Sequence, residues 1–368
     1  MKCRICNGDF FEEPIISLEN MPKSAQGFLD YKSDDQTIDL NLVQCKYCGT
    51  VQLDCEPVEY YKDVIRFGGD LFSEIRYKQL SSFINKYNLN NKKIIEIGAG
   101  RGEFFKVLKE FDVDAYAIEN SIDNINEAKK LGLEIEKCFL ETENTKIKGG
   151  PFDAFVQFNF LEHQPDPNTM IRAIYNNLKE NGIGLLTVPC FEYIQNKGTF
   201  YELITDHLIY FTKETLEYFL HKNGFKIIEY NLEHDTHNVV LQKINYIDTK
   251  KLYLCFKDLR SHILDFLDNN IKIAVWGASH HAFTILSTYK IGNRIEYIID
   301  SSKYKQNKYS IGSNIKIISP EEAYKNMVDA IIIMAPNHSN EIIDIIRKNI
   351  DSKVKIATIV ENEFIIIR

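Results

Sequence analysis

No stretch of the 368-residue chain approaches the roughly 18 consecutive apolar residues that a membrane-spanning helix needs. The N-terminus, Met1-Lys2-Cys3-Arg4, lacks the apolar core of a secretory signal, so the cytoplasm is the expected location and a membrane partner is not expected. A basic excess is missing too. Lys and Arg number 44 against 52 Asp and Glu, for a net charge of −8. The first sixty residues alone hold eleven acids against five Lys and Arg. That balance excludes a nucleic-acid partner held by bulk electrostatics, but not a small phosphorylated ligand that needs one or two local cations. Hydrophobic content of 44% and charge of 26% are ordinary for a globular protein, and the length allows two or three domains, each with its own core.

Eight cysteines in a reducing compartment are not expected to form disulfides. Four of them stand as two knuckles, Cys3-x2-Cys6 and Cys45-x2-Cys48, which is the spacing of a tetrahedral structural Zn²⁺ site. The 38 residues between the knuckles place them on separate hairpins, and Gly8 and Gly49 follow each one where a tight turn is needed. Cys55 could replace one ligand, and a set of buried free thiols is the bland alternative. Cys138, Cys190 and Cys255 lie scattered among apolar residues and read as core positions.

The stretch Lys93 to Leu108 runs from an apolar strand through three alternating glycines into an apolar helical pattern. Glycines at 98, 100 and 102 let the backbone approach a ligand that a Cβ would exclude. A dinucleotide loop, G-x-G-x-x-G, would need its third glycine at position 103, which is Glu103. The pattern here is E-x-G-x-G-x-G, from Glu96 to Gly102. It resembles motif I of class I S-adenosylmethionine (SAM) methyltransferases, in which the acid ahead of the loop faces the methionine ammonium.

From Lys92 to about Lys243 strands and helices alternate, the pattern of a doubly wound sheet. The second strand, Val113 to Ile118, ends at Glu119, where an acid about twenty residues past the glycine loop grips a ribose diol. Phe139 is a candidate adenine neighbour. The fourth strand, Phe152 to Phe158, delivers Asn159 and His163 to the carboxyl end of the sheet, where the ligand crevice of such folds lies. A fifth strand spans Gly182 to Pro189. Asp206 and His207 follow, before a helix capped by Thr212; with Thr215 at N3, no capping box is expected there. A histidine there is the natural general base near neutral pH, and Asp206 beside it can set its local field.

These residues together resemble the three-part sugar C-methyltransferases of deoxysugar biosynthesis. The segment Cys45 to Leu53 matches that family's second knuckle, Glu96 to Gly102 its SAM loop, Asn159 and His163 its N-x3-H step, and Asp206-His207 with Tyr210-Phe211 its Y-H-E-H-x2-Y-F stretch. The resemblance implies a class I SAM methyltransferase (Rossmann-like) core of α/β type, between a small N-terminal zinc-binding domain and a C-terminal degenerate Rossmann-like domain. The expected bounds are residues 1–60, 61–248 and 249–368. It implies SAM and a structural Zn²⁺ as cofactors. The catalytic residues would be His207, His163 and Asp206, and the cofactor would lie on Glu96, Gly98, Gly100, Gly102, Glu119 and Asn159. The acceptor would be a small molecule, a nucleotide-linked or capsule-type sugar methylated on carbon beside a ketone. Departures lie on the acceptor side. Ile204, Thr205 and Asp206 replace the family's Tyr, first His and Glu, and its H-G-G-S-L-R loop reads His237 to Gln242. An O- or N-methyl transfer with His207 as base fits these changes as well, and a non-catalytic SAM-binding protein, an NAD-dependent oxidoreductase and a nucleic-acid methyltransferase are the remaining rivals.

Residues 249 to 270 show the periodicity of an amphipathic helix. A second α/β unit follows, with Ile271 to Val275 as a strand and Gly277 to His281 as its turn. Its glycines are too few for a dinucleotide site, so it reads as a wall beside the acceptor, with His280 and His281 solvated or touching a phosphate. Asp300, Lys305, Gly312 and Ile317 to Pro320 resemble the same family's C-terminal D-x4-K…G…S-P segment.

Overall fold

The computed structural model describes residues 1–25, 30, 32, 36–59, 61–62, 70–245, 249–350 and 353–367. Tyr60, residues 63–69 and the expected boundary at 248 lie outside the described residues. The chain forms two compact units, Met1–Asn245 and Tyr246–Arg368.

In the first unit, three short strands open the chain: β1 (Ile16–Pro22), β2 (Thr37–Gln44) and β3 (Val51–Leu53). Helix α1 (Asp70–Lys86) leads to β4 (Lys93–Ile97), α2 (Glu103–Leu108), β5 (Asp114–Glu119), α3 (Ile122–Lys130) and β6 (Glu136–Lys137). Next come β7 (Phe152–Phe158), α4 (Pro167–Asn177), β8 (Leu178–Pro189), α5 (Phe191–Lys197), β9 (Ile209–Tyr210), α6 (Lys213–Lys222) and the hairpin β10 (Phe225–Glu233) and β11 (Thr236–Lys243). The seven-stranded sheet has the order β10-β11-β8-β7-β4-β5-β6. Strands β8, β7, β4, β5 and β6 are parallel, and the β10–β11 hairpin closes one edge antiparallel. The central strands are buried on both faces, which is why β4 and β7 read as continuous apolar runs. The right-handed crossovers of such a sheet bring the carboxyl ends of β4, β5 and β7 to one edge.

Among the described residues, the N-terminal module has no core of its own. Ile5, Leu40, Leu42, Val51 and Leu53 belong to the same apolar cluster as Phe155, Leu208, Phe211 and Leu216 of the large-sheet region. About fifty residues in three short strands cannot bury enough surface to stand alone, so the module borrows the neighbouring core. Its sheet is completed by β9, with Val51 opposite Tyr210 and Gln52 opposite Ile209, in the order β1-β2-β3-β9.

Two local expectations change. A capping box does form on α6: the Thr212 hydroxyl accepts the Thr215 N–H (3.2 Å) and the Thr215 hydroxyl accepts the Thr212 N–H (2.9 Å). A threonine hydroxyl does here what the Glu or Gln of the usual box does. Of the three scattered cysteines, Cys190 is buried, whereas Cys138 and Cys255 are only half-buried.

The second unit begins with α7 (Thr249–Asp268), followed by β12 (Ile273–Trp276), α8 (His280–Thr288), β13 (Tyr297–Ile299), β14 (Ile317–Ile318), α9 (Pro320–Ala323), β15 (Ala330–Ile333), α10 (Ser339–Asn349), β16 (Lys355–Val360) and β17 (Glu363–Ile367). Its sheet order is β14-β13-β12-β15-β16-β17, parallel except for β17. At the tip of β13 the Asp300 carboxylate accepts the Ala278 N–H (2.9 Å) and pairs with Lys305 (3.0 Å). The acid that would grip a ribose is thus already paired with a cation. His280 and His281 open α8 and are exposed.

Candidate active site and thiol centre

The glycine loop is built as a backbone cradle. Gly98, Gly100 and Gly102 adopt φ of +73°, +58° and +87°, the left-handed region open to glycine. The N–H groups of Gly98 and Ala99 both donate to the Ile118 carbonyl (3.0 Å each), which locks the loop to the tip of β5. The Glu119 carboxylate completes the joint. One oxygen accepts the Gly100 N–H (2.7 Å), and the other accepts those of Asn120 and Ser121 (2.9 Å each). A Cβ on Gly98 would come within 2.9 Å of the Phe160 ring. Glu96 is fully buried in β4, two residues before Gly98. The loop therefore presents bare backbone and two carboxylates at the switch point between β4 and β7, where this fold class takes its ligand.

Asn159 follows β7 with φ of +44°. Its N–H donates to the Thr187 carbonyl (2.9 Å), and its side-chain oxygen accepts the Thr187 hydroxyl (2.7 Å) and the Arg76 guanidinium (3.3 Å). Arg76 reaches there from α1, lying over the Phe158 ring at 4.3 Å. Sequence reading missed this cation, because a lone Arg in a helix preceding the sheet carries no local signal. Phe139 contacts Tyr61 edge-on (6.1 Å between centroids) under the Lys62 ammonium (4.9 Å). Tyr61, Lys62 and Phe139 help line a cavity of about 210 Å³ that also touches Gln164 and Met170.

His163 and His207 come together from separate segments, their rings 4.8 Å apart and nearly perpendicular. His163 sits at the end of a short turn, Leu161–His163. Its Nδ1 lies 2.8 Å from the Asp206 carbonyl, an acceptor only, so Nδ1 carries the proton and Nε2 faces the other way, 4.0 Å from Glu162. Burial, and next the neighbouring His163, hold the His207 imidazole well below the ordinary histidine pKa, although part of the residue remains accessible. His207 is thus an uncharged base at neutral pH. The Asp206 carbonyl orients His163, and its carboxylate accepts the Ala25 N–H (2.8 Å). Thr205 donates its hydroxyl to the Pro22 carbonyl. Tyr210 is buried, with its hydroxyl accepting the Ile204 N–H (2.9 Å).

The turn bearing His207 is held by the N-terminal module. Leu208 donates its N–H to the Glu162 carbonyl (2.8 Å) and accepts that of Leu53 (3.1 Å), just ahead of the β3–β9 pairing. The module in turn is organised by Cys3, Cys6, Cys45 and Cys48, whose sulfurs all lie within 4.8 Å of one another. The Cys3 and Cys48 sulfurs stand 3.5 Å apart, and those of Cys6 and Cys45 3.4 Å. Four sulfurs at about 2.3 Å from a tetrahedral Zn²⁺ would stand about 3.8 Å apart, so the cluster fits the ion with small adjustments. Cys48 is pushed down to about 4, first by its hydrogen bond with Cys3 and then by Thr50, and Cys3 is pushed up by the same contact. Cys55 is buried outside this set, its carbonyl accepting from Arg4 (2.7 Å).

Comparison with known proteins decides the class. Residues 72–230 match a family described as methyltransferase domain, and residues 245–360 match the C-methyltransferase C-terminal domain. The chain is a SAM-dependent methyltransferase. It resembles C-methyltransferases along nearly its whole length: it is 20% identical over 385 residues to the C-methyltransferase NovU of Streptomyces niveus, covering 93% of this chain and 91% of that protein. Among solved structures it is similar to a SAM-dependent methyltransferase from Clostridium acetobutylicum (13% identity, 46% of this chain, 92% of that one, TM-score 0.39). Another is the magnesium protoporphyrin IX methyltransferase of Synechocystis PCC 6803 (12% identity, 50% and 97%, TM-score 0.39). In this methyltransferase the sequence-derived residues fall into three groups. Glu96, the three glycines, Glu119 and Asn159 gather at the β4, β5 and β7 tips, His163 and His207 face each other, and the four cysteines converge. No described helix is long and apolar enough to cross a membrane.

Proposed function

We propose that this methyltransferase alkylates a carbon beside a ketone in a nucleotide-linked sugar, in the cytoplasm. The observation that carries the reading is the pair of imidazoles 4.8 Å apart, one of them held neutral by burial. A C–H next to a carbonyl is only weakly acidic, so its removal needs a positioned base and a partner for the enolate oxygen. His207 takes the proton. His163, with Nδ1–H committed to the Asp206 carbonyl, faces the oxygen through Nε2, and Glu162 balances a second proton there. Gly98, Gly100 and Gly102, with Glu96 and Glu119, would hold SAM, which would supply an electrophilic methyl. The bare-backbone cradle, which a Cβ on Gly98 would fill, suits such a ligand.

The four-thiol cluster holds a structural Zn²⁺ in this reading, and reduced cytoplasmic thiols suit it. One observation favours a second acceptor chemistry. The hydroxyl of Thr205, where the similar sugar enzymes carry their first histidine, is occupied by the Pro22 carbonyl, so the acceptor meets fewer polar groups. His207 would then deprotonate a hydroxyl or amine. Incubation with labelled SAM and a panel of keto and non-keto nucleotide sugars in D2O separates the readings. Carbon methylation goes with deuterium entering the acceptor beside its ketone. Methyl on oxygen or nitrogen without exchange would overturn the carbon assignment.

A further inference from the structure

Outside the histidine pair and the four-cysteine centre, three metal-binding types of side chain meet at the tip of β8. Cys190 follows the last residue of β8, Glu192 lies in the first turn of α5, and His237 lies on β11 beside Val188. The Cys190 sulfur stands 3.2 Å from Glu192 Oε2, and His237 Nε2 stands 3.6 Å from the same oxygen. All three donor atoms fall within 4.8 Å of one another. The Phe211 carbonyl lies 3.0 Å from His237 Nε2. We propose that Cys190, Glu192 and His237, with the Phe211 carbonyl, form a second binding site for a divalent cation of the zinc type.

The spacing supports this reading. Bonds of about 2.0 Å to nitrogen and oxygen and 2.3 Å to sulfur give tetrahedral edges of roughly 3.3 Å between nitrogen and oxygen and roughly 3.5 Å between sulfur and either. The measured edges, 3.2 Å from sulfur to oxygen and 3.6 Å from nitrogen to oxygen, each depart from their ideal by about 0.3 Å, as the sulfur pairs of the N-terminal cluster at 3.5 and 3.4 Å depart from theirs. A thiolate, a carboxylate and an imidazole form a mixed donor set that suits a borderline ion, and Cys190 and His237 are both buried away from competing water. The ring has the outer partner that metal-bound histidines use: Nδ1 lies 3.0 Å from the Tyr230 hydroxyl. In one tautomer Nε2–H donates to Phe211 and Nδ1 accepts from Tyr230. In the other, Nδ1–H donates to the Tyr230 oxygen and the Nε2 lone pair is free for a cation. Glu192 is steadied by the Lys213 N–H on its other oxygen (2.7 Å). Bound there, the ion would tie the β8 tip to Phe211, four residues after His207, and fix the catalytic turn from the side opposite β3.

Metal content tests the site independently of methyl transfer. Full-length protein prepared with zinc should carry two ions per chain by elemental analysis, and Cys190→Ser or His237→Gln should carry one. Cobalt substitution should add a visible band with single-thiolate character that Cys190→Ser removes. If the histidine variant does not fold, Glu192→Gln and Cys190→Ser, which change fewer atoms, give the same comparison. One ion in the wild type that Cys190→Ser retains, with no second zinc or cobalt binding event on titration, or two ions retained in every variant, would overturn the proposal. Should the N-terminal cysteines hold no zinc, the count would start at one and fall to none in Cys190→Ser, so the two assignments fail separately.

Discussion

Replacing Gly98 by alanine should damage the cofactor site beyond what backbone strain alone explains. Gly98 has φ of +73°, and an L-residue in that region costs roughly 1–2 kcal/mol. The new Cβ would also sit 2.9 Å from the Phe160 ring, which must move. Overpacking of this kind typically costs a further 1–3 kcal/mol, roughly a 5- to 150-fold loss in affinity if the cost falls on the cofactor-competent loop. Phe160 precedes the turn that carries His163, so its displacement should lower turnover as well as affinity. Gly132 supplies the control. Its φ is +76°, and an added Cβ there would meet nothing within 4 Å. Urea unfolding should show the strain loss in both variants and a larger loss in Gly98→Ala, whereas calorimetric titration with S-adenosylhomocysteine should show weakened binding only for Gly98→Ala. Equal affinities in the two variants would refute the idea that the loop's tight approach to Phe160 shapes the site.

Other outcomes follow from the same contacts. His207 has a folded pKa below its ordinary 6.5, so above that pH it is neutral in both states and adds nothing. As pH falls below 6.5 the unfolded chain gains a proton that the folded site refuses, and stability declines until the lowered folded pKa is reached. His207→Gln should therefore reduce the drop in urea midpoint between neutral and mildly acidic pH; an unchanged drop would place the acid sensitivity elsewhere, with the similarly lowered His237 the next group to test. Cys48→Ser should release about one zinc per chain and depress turnover with solubility, because the β3–β9 pairing loosens; a zinc-free wild type that is fully folded would contradict it. Thr215→Val should lower the melting temperature by an amount equivalent to about 0.5–2 kcal/mol, since the Thr212 N–H and hydroxyl lose their Thr215 partner while the Thr212 hydroxyl still caps the residue 215 N–H.

Much of the candidate cofactor site was legible because it is local. Glycine spacing, an apolar strand and an acid at the next strand tip are written within thirty residues, and the structure places Gly98, Gly100 and Glu119 in one hydrogen-bonded joint. The cysteine knuckles were legible for the same reason. What escaped is long-range. The two-residue strand β9 has no periodicity to detect, and its pairing with β3 joins residues more than 150 positions apart. Arg76 reaching Asn159 and Cys190 meeting His237 likewise depend on which sheet edge each element occupies. The α6 cap was missed because the usual template asks for Glu or Gln at N3, whereas a threonine hydroxyl can close the same ring of bonds.

The short pairing between β3 and β9 also limits how the molecule can be divided. A fragment starting at α1 would keep the glycine cradle, but Leu208 and Tyr210 would lose the backbone they lean on, and the turn carrying His207 would face solvent. Such a truncated protein should still hold a nucleoside in its cleft while losing the geometry that selects and deprotonates an acceptor. The cysteine module is therefore part of the wall that holds the His207 turn, and on the proposed reading it cannot be exchanged between relatives without the loop it supports.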